Sequence, residues 1–160
     1  MASNKTIIIR VAVSVIICLA VGALSGIATS SSVSTWYTTL NKPPFNPPNW
    51  LFAPVWTLLY AMMGVAAGIV WSKGKESIGV KLALGLFIGQ LLLNSLWSVL
   101  FFGLRNPTAA LVEIVVLWVA ILLTINRFYL VSKAAVWLLT PYLVWVSFAA
   151  LLNASIVILN

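Results

Sequence analysis

Histidine is absent from this sequence, the acidic side chains number two (Glu76 and Glu113), and Cys18 is the one cysteine. Without histidine, a cysteine pair or clustered carboxylates, a zinc or iron centre built by the protein has no ligand set. The same shortages leave no Ser/His/Asp or Cys/His nucleophile system, no paired carboxylates within one segment and no glycine-rich phosphate loop. The chain is therefore expected not to be an enzyme in its own right, and any catalysis has to borrow the chemistry of a bound ligand. Cys18 cannot form an intrachain disulfide and reads as a small packing residue. Charge of either sign is scarce: 7% of residues are charged and 62% are hydrophobic, against about 25% charged in an ordinary soluble domain. So few charges cannot cover a water-facing surface, and the excess apolar area must face lipid.

What is present is a series of long apolar runs. Five can be read, at about 6–30, 50–71, 80–104, 107–127 and 134–159, each bounded by charge, proline or a polar cluster. Roughly 20 apolar residues cross a bilayer as a helix, and a helix satisfies its own backbone where water is absent. The expected fold is an all-α membrane protein, a single domain over 1–160 formed by a bundle of five transmembrane helices. The first run, with Lys5 and Arg10 ahead of it and small residues around Ser25–Ala28, also has the outline of a cleaved signal peptide. Its continuation to Ala28 favours an uncleaved span. The first loop, Ser31–Asn49, is the only long one, and its end (Lys42-Pro43-Pro44-Phe45-Asn46-Pro47-Pro48) holds four of the seven prolines. Proline stiffens it; whether it is a lid over the bundle or a rigid connector stays open.

The net charge of +7 would suggest nucleic acid in a soluble protein, but no basic stripe with interleaved aromatics is present, so no nucleic-acid partner is expected. The basic residues instead flank the spans. Lys5, Arg10, Lys73, Lys75, Lys81, Arg127 and Lys133 fall on one side, seven in all, against Lys42 and Arg105 on the other. The positive-inside rule places the N-terminus in the cytoplasm and the C-terminus outside. Trp36, Trp50, Trp71 and Trp137 fall in the first loop or at span ends, where an amphipathic ring suits the headgroup zone. Trp56, Trp97, Trp118 and Trp145 lie within spans and are better candidates for an internal site.

Polar groups within spans are costly and mark places to search for function. In the third span Gln90, Asn94, Trp97, Ser98 and Phe101 share one helical face; in the second Trp56, Tyr60 and Gly64 do, and in the fifth Tyr142, Trp145, Ala149 and Asn153. Two readings of these faces stand together: an aromatic-walled cavity with a few amides for a large, flat, mostly apolar ligand, or amides that simply hold helices together while tryptophans fill space. Glu113 is the one carboxylate within a span, open to a role as proton carrier, ligand contact, or partner of Arg105 or a backbone group; pairing ranks ahead of proton transport, because a lone acid makes a poor relay. Gly22 and Gly26, Gly64 and Gly68, and Gly85 and Gly89 each stand four apart, a spacing that lets helices approach closely; Gly85 and Gly89 are favoured as an interface between subunits.

The sequence resembles the translocator proteins of the TspO/MBR family. The resemblance rests on Trp36-Tyr37-x-x-Leu40-x-Lys42-Pro43 with Pro47-Pro48, on Pro54-Val55-Trp56-x-x-Leu59-Tyr60, on Gln90-x-x-x-Asn94-x-x-Trp97-Ser98, and on Pro141-Tyr142-x-x-Trp145-x-x-Phe148-Ala149. Four segments in this order cover nearly the whole chain. The resemblance implies a five-helix bundle, commonly a homodimer, whose cavity is closed by the first loop and binds protoporphyrin IX, other flat lipophilic ligands and, in some members, cholesterol. It implies ligand-binding roles for Tyr37, Pro47, Trp56, Tyr60, Asn94, Trp97, Ser98, Trp145 and Ala149, with Gln90 and Glu113 matching less closely, and dimer contacts at Gly85 and Gly89. It implies no metal and no obligate cofactor, the tetrapyrrole being ligand, and a receptor or translocator used for tetrapyrrole sensing, transport or disposal. The alternative is light- and oxygen-dependent porphyrin breakdown with Trp56 and Trp145 as the redox-active rings. The home would be the cell membrane of a bacterium or an outer organelle membrane of a eukaryote. One departure stands out: Leu152-Asn153-Ala154-Ser155 lacks the tyrosine and base of the cholesterol motif of animal members, so a microbial-type porphyrin binder is expected.

Overall fold

The computed structural model describes residues 2–74 and 76–160; Lys75, counted above among the basic residues, lies outside them. Five helices are long and apolar enough to cross a bilayer, and the chain is a multi-pass integral membrane protein. They are α1 (Asn4–Ser34), α3 (Asn49–Ser72), α4 (Ile78–Ser98, continued by a π-helical turn, Val99–Gly103), α5 (Pro107–Tyr129) and α6 (Lys133–Leu159), with a one-turn helix α2 (Trp36–Thr39) in the first loop.

Their ends follow local chemistry. Ser3 caps α1 by accepting from the Thr6 N–H at 3.2 Å, Asn106 caps α5 through the Ala109 N–H, and Ser132 caps α6 through the Ala135 N–H. Pro107 occupies the first turn of α5, where its missing N–H costs nothing. Two features depart from the sequence reading. α1 runs on to Ser34, beyond the expected end near Ser30, and the hydroxyls of this last stretch are satisfied on helix carbonyls: Ser30 Oγ on Ile27 O, Ser34 Oγ on Ser31 O and Thr35 Oγ1 on Ser31 O. And α4 does not end as an α-helix. In the π turn the Leu104 N–H bonds to Val99 O at 2.7 Å and that of Asn106 to Leu100 O at 3.0 Å, which widens the turn and brings both Phe101 and Phe102 against Tyr37.

α1 packs chiefly on α3, α3 on α6, α6 on α5 and α5 on α4, while α4 and α1 close the ring with the least contact. α1 meets α3 through glycine: a Cβ at Gly64 would strike the backbone of Val15, one at Gly68 the backbone of Val11, and one at Gly22 the ring of Tyr60. Helices in lipid associate by such packing, since lipid tails are as apolar as leucine. Gly85 and Gly89 differ: an added Cβ at either would meet nothing within 4 Å among the described residues, so this α4 face is open on the single chain. The core is continuous through the bundle around Met63, Ile114, Leu117 and Tyr142, with a smaller cluster under the loop around Tyr37, Phe101, Leu152 and Ile156. Ile8, Ile16, Leu24, Leu92, Val112 and Val144 point outward as a lipid-facing belt.

Candidate functional site

Between α1, α3, α4 and α6, at the end of the bundle that carries the first loop, lies a cavity of about 630 Å³. That volume falls within the range of about 300–1,000 Å³ usual for small-molecule sites. Its walls carry Tyr37, Trp56, Tyr60, Trp97, Ser98, Trp145 and Ala149, together with Phe52, Phe101, Phe102 and Phe148. No charged side chain lines it. The rings pack edge to face, Trp56 against Trp145 at 6.4 Å and 89°, with Phe52 against Trp145 at 6.3 Å, so ring faces are left turned toward the space they enclose. The Trp145 indole N–H is buried and has no hydrogen-bond partner among the described residues. Trp145 therefore meets the cavity through its ring, with the N–H beneath the accessible surface.

The first loop roofs this space. α2 places Tyr37 in the wall, 2% exposed, and its hydroxyl donates to Asn46 Oδ1 at 2.6 Å. Burial pushes the Tyr37 phenol up to about 12, so it remains a neutral donor throughout the physiological range. Lys42 Nζ donates to the carbonyls of Tyr37 and Leu40, both at 2.9 Å, and stands 5.1 Å from the centre of the Tyr37 ring. The loop is also tied to the end of α6: the Asn41 N–H donates to Asn160 Oδ1 at 2.9 Å and Asn160 Nδ2 returns to Asn41 O at 2.8 Å. The proline stretch supports this roof from outside; Pro47 is half-buried beyond the cavity lining and its carbonyl accepts from Asn46 Nδ2.

Gln90 and Asn94 stand behind the wall, each 1% exposed. Tyr60, which lines the cavity, donates to Asn94 Oδ1 at 2.7 Å; Asn94 Nδ2 donates to the Tyr142 hydroxyl at 2.7 Å, and Tyr142 donates to Gln90 Oε1 at 2.8 Å. This chain joins α3, α4 and α6 and fixes the tilt of the Tyr60 ring. Here the two sequence readings combine, with amides holding helices together and aromatics facing the cavity. Tyr142→Phe would leave Asn94 Nδ2 and Gln90 Oε1 without their partner. We expect it to cost about 1–2 kcal/mol, read as a lower unfolding midpoint in detergent; an unchanged midpoint would remove the chain from the structural account. Asn153 makes a second junction, accepting from Trp97 Nε1 at 3.1 Å and donating to the Pro107 carbonyl at 2.8 Å.

Two expectations are corrected. Trp118 does not belong to the internal site; it lies between α5 and α6 and donates to Ser147 Oγ at 2.8 Å, a pairing open to it because both residues sit at the rim of that helix contact. Glu113 does not pair with Arg105: both carboxyl oxygens are buried without a hydrogen-bond partner, and Lys81 with Glu76 is the one ion pair among the described residues. Arg105, with φ 52°, sits in the turn before α5 and is exposed. Sequence reasoning missed Phe52, Phe102, Phe148 and the α1 wall (Leu19, Gly22, Ser25, Gly26, Thr29). Small residues concentrated in the second half of α1 were the available signal, since they leave room beside a helix.

A family model described as the TspO/MBR family matches residues 14–159. The chain is 49% identical over 161 residues to the tryptophan-rich protein TspO of Chlorobaculum tepidum, covering 98% of this chain and 99% of that protein. It is 47% identical over 154 residues to the tryptophan-rich protein TspO of Archaeoglobus fulgidus, covering 96% and 98%. The translocator protein of Bos taurus is 42% identical over 119 residues, covering 74% of this chain and 70% of the bovine protein.

Proposed function

Because the chain belongs to the TspO/MBR family, we propose that it binds porphyrins of the protoporphyrin IX class, and other flat lipophilic molecules, in the aromatic cavity beneath its first loop, for tetrapyrrole sensing, transport or disposal. The observation that carries this reading is an uncharged cavity of about 630 Å³ walled by Trp56, Trp97, Trp145, Tyr37 and Tyr60. A conjugated macrocycle is wide, flat and apolar on both faces and suits ring-lined walls. The cavity has no cation for a carboxylate, so a porphyrin would keep its propionates at the rim, toward the headgroups. The name translocator protein, carried by the bovine relative, agrees with a membrane-borne ligand. We further propose the orientation that the charge bias favours, with the N-terminus cytoplasmic, and a homodimer formed through the open α4 face at Gly85 and Gly89.

Gly26 supplies the test. It lines the cavity, and an added Cβ would meet nothing within 4 Å, so Gly26→Phe takes up cavity volume without displacing backbone. Titration of the detergent-solubilised protein with protoporphyrin IX in the dark, followed by tryptophan quenching, should saturate for the native chain. Gly26→Phe should weaken the affinity at least about tenfold, roughly 1.4 kcal/mol, with the unfolding midpoint unchanged. Equal, non-saturating quenching of both proteins would mean partition into micelles and would sink the proposal.

A further inference from the structure

The aromatic walls of the cavity have little hydrogen bonding left to give. The Tyr37 hydroxyl donates to Asn46 Oδ1, that of Tyr60 to Asn94 Oδ1, and Trp97 Nε1 to Asn153 Oδ1, while the Trp145 N–H is buried. These walls therefore turn chiefly apolar ring surface to a ligand.

The side between α1 and α3 is different. The two helices touch where Gly22 meets the ring of Tyr60, Gly64 the backbone of Val15 and Gly68 that of Val11. One turn beyond Gly22, a Cβ added at Gly26 would meet nothing within 4 Å. From there to the loop, Gly26 and Ser30 of α1, and Asn49, Ala53 and Thr57 of α3, line the cavity and are at the same time exposed. Their spacing in steps of four makes each set one edge of its helix. The cavity thus opens sideways between two edges of small and polar side chains. The upper end of this cleft lies at the membrane surface. Asn49 is the first residue of α3, and its neighbour Trp50 is 72% exposed, a placement that suits a tryptophan in the headgroup zone. Thr57 lies about 12 Å deeper, at the rise of an α-helix.

We propose that the cleft between α1 and α3 is a polar subsite of the cavity, which receives the carboxylate-bearing edge of a tetrapyrrole at Asn49 and Ser30 while the macrocycle stays against the rings. The inference rests on the cavity reading above and adds how the acid groups are recognised. An ionised carboxylate is penalised wherever neither water nor a donor reaches it, and no charged side chain lines the cavity. Acid groups must then find neutral donors beside water, and the mouth of the cleft has both. Asn49 brings an exposed amide with two N–H groups. The Ser30 hydroxyl now donates to Ile27 O at 3.1 Å and can turn from that carbonyl to a carboxylate, the stronger acceptor. The small side chains of Gly26 and Ala53 leave the gap wide enough for a flat edge to enter.

The test compares protoporphyrin IX with its dimethyl ester, the same ring with both carboxyls masked. Each is titrated in the dark against the protein in phosphatidylcholine nanodiscs at about pH 8, where free carboxyls are ionised, and tryptophan quenching is followed. Every variant is read as its Kd relative to the native chain for the same ligand, so that partition of either porphyrin into the bilayer cancels. Asn49→Leu with Ser30→Ala should weaken the acid about tenfold and leave the ester within about twofold. Asn49→Asp should weaken the acid about tenfold and Asn49→Lys should tighten it about threefold, with the ester unmoved by either. The same charges at Thr108, exposed at the start of α5 and outside the cavity lining, should move neither ligand. Acid and ester shifting together, or neither shifting beside saturable binding, would overturn the subsite and leave the cavity reading intact. An acid shift as large at Thr108 as at Asn49 would overturn it as well, assigning the effect to surface charge. Absence of saturable binding of either porphyrin to the native chain would remove both readings. Should an Asn49 variant fail to assemble, Ser30→Asp, at an exposed position of α1, gives the same decision.

Discussion

Gly64→Leu is expected to separate α1 from α3 and to leave a protein that does not hold its fold in mild detergent. A Cβ at this position would run into the backbone of Val15, and the neighbouring Gly68 meets the backbone of Val11 in the same way. A flexible side chain could swing aside, but backbone cannot, so the helices themselves would have to move apart. In lipid no hydrophobic effect draws them back, and van der Waals contact is most of what associates them. The expected loss is at least about 3 kcal/mol, the upper part of the range for overpacking, and α1 supplies one wall of the cavity, so ligand binding would go with it. Gly26→Leu is the matched control, because its side chain enters open space; it should move the unfolding midpoint by no more than about 0.5 kcal/mol. Thermal or SDS unfolding followed by circular dichroism decides the matter. Similar midpoints for the two variants would show that α1 does not depend on this approach.

The second large effect is on binding. Removing both indoles with Trp56→Ala/Trp145→Ala should weaken protoporphyrin IX binding in the dark by at least about 100-fold, about 2.7 kcal/mol. The two rings touch edge to face at 6.4 Å, so the single variants should not sum to the double. Trp145→Phe keeps a ring in the wall and loses only an N–H that is buried and unpartnered, and should cost less than about 1 kcal/mol. A double variant that binds as tightly as the native chain would place the porphyrin elsewhere. The same samples, illuminated in air, address the photochemical alternative. A new product spectrum that disappears in Trp56→Phe or Trp145→Phe would make the rings reactants, and an unchanged spectrum would leave them as walls.

Much of this molecule was legible before any coordinates. A chain with 62% hydrophobic and 7% charged residues has to meet lipid, and long apolar runs in lipid have to be helical, because each backbone amide must find its partner within the segment. Helical periodicity then brought Gln90, Asn94 and Trp97 to one face and Trp56 and Tyr60 to another. These are consequences of local geometry and of solvent. They hold whatever the helices do to one another.

What the sequence could not decide is which side of each face meets a neighbour and which meets space. Asn94 and Trp97 share a face, yet Asn94 is consumed by Tyr60 and Tyr142 behind the wall, while Trp97 lines the cavity. Trp118 has the same apparent credentials as Trp145 and lies outside the site. Three glycine pairs share one spacing; one pair receives α1, another stays open, and at Gly22 and Gly26 one residue meets Tyr60 and the other nothing. The π turn at Val99–Gly103 shifts the register so that Phe102 joins Phe101 beneath the loop. Each of these is settled by the order in which helices stand around the ring and by the rotation of each about its axis. Those are properties of packing between segments far apart in the chain, and periodicity within one segment carries no information about them.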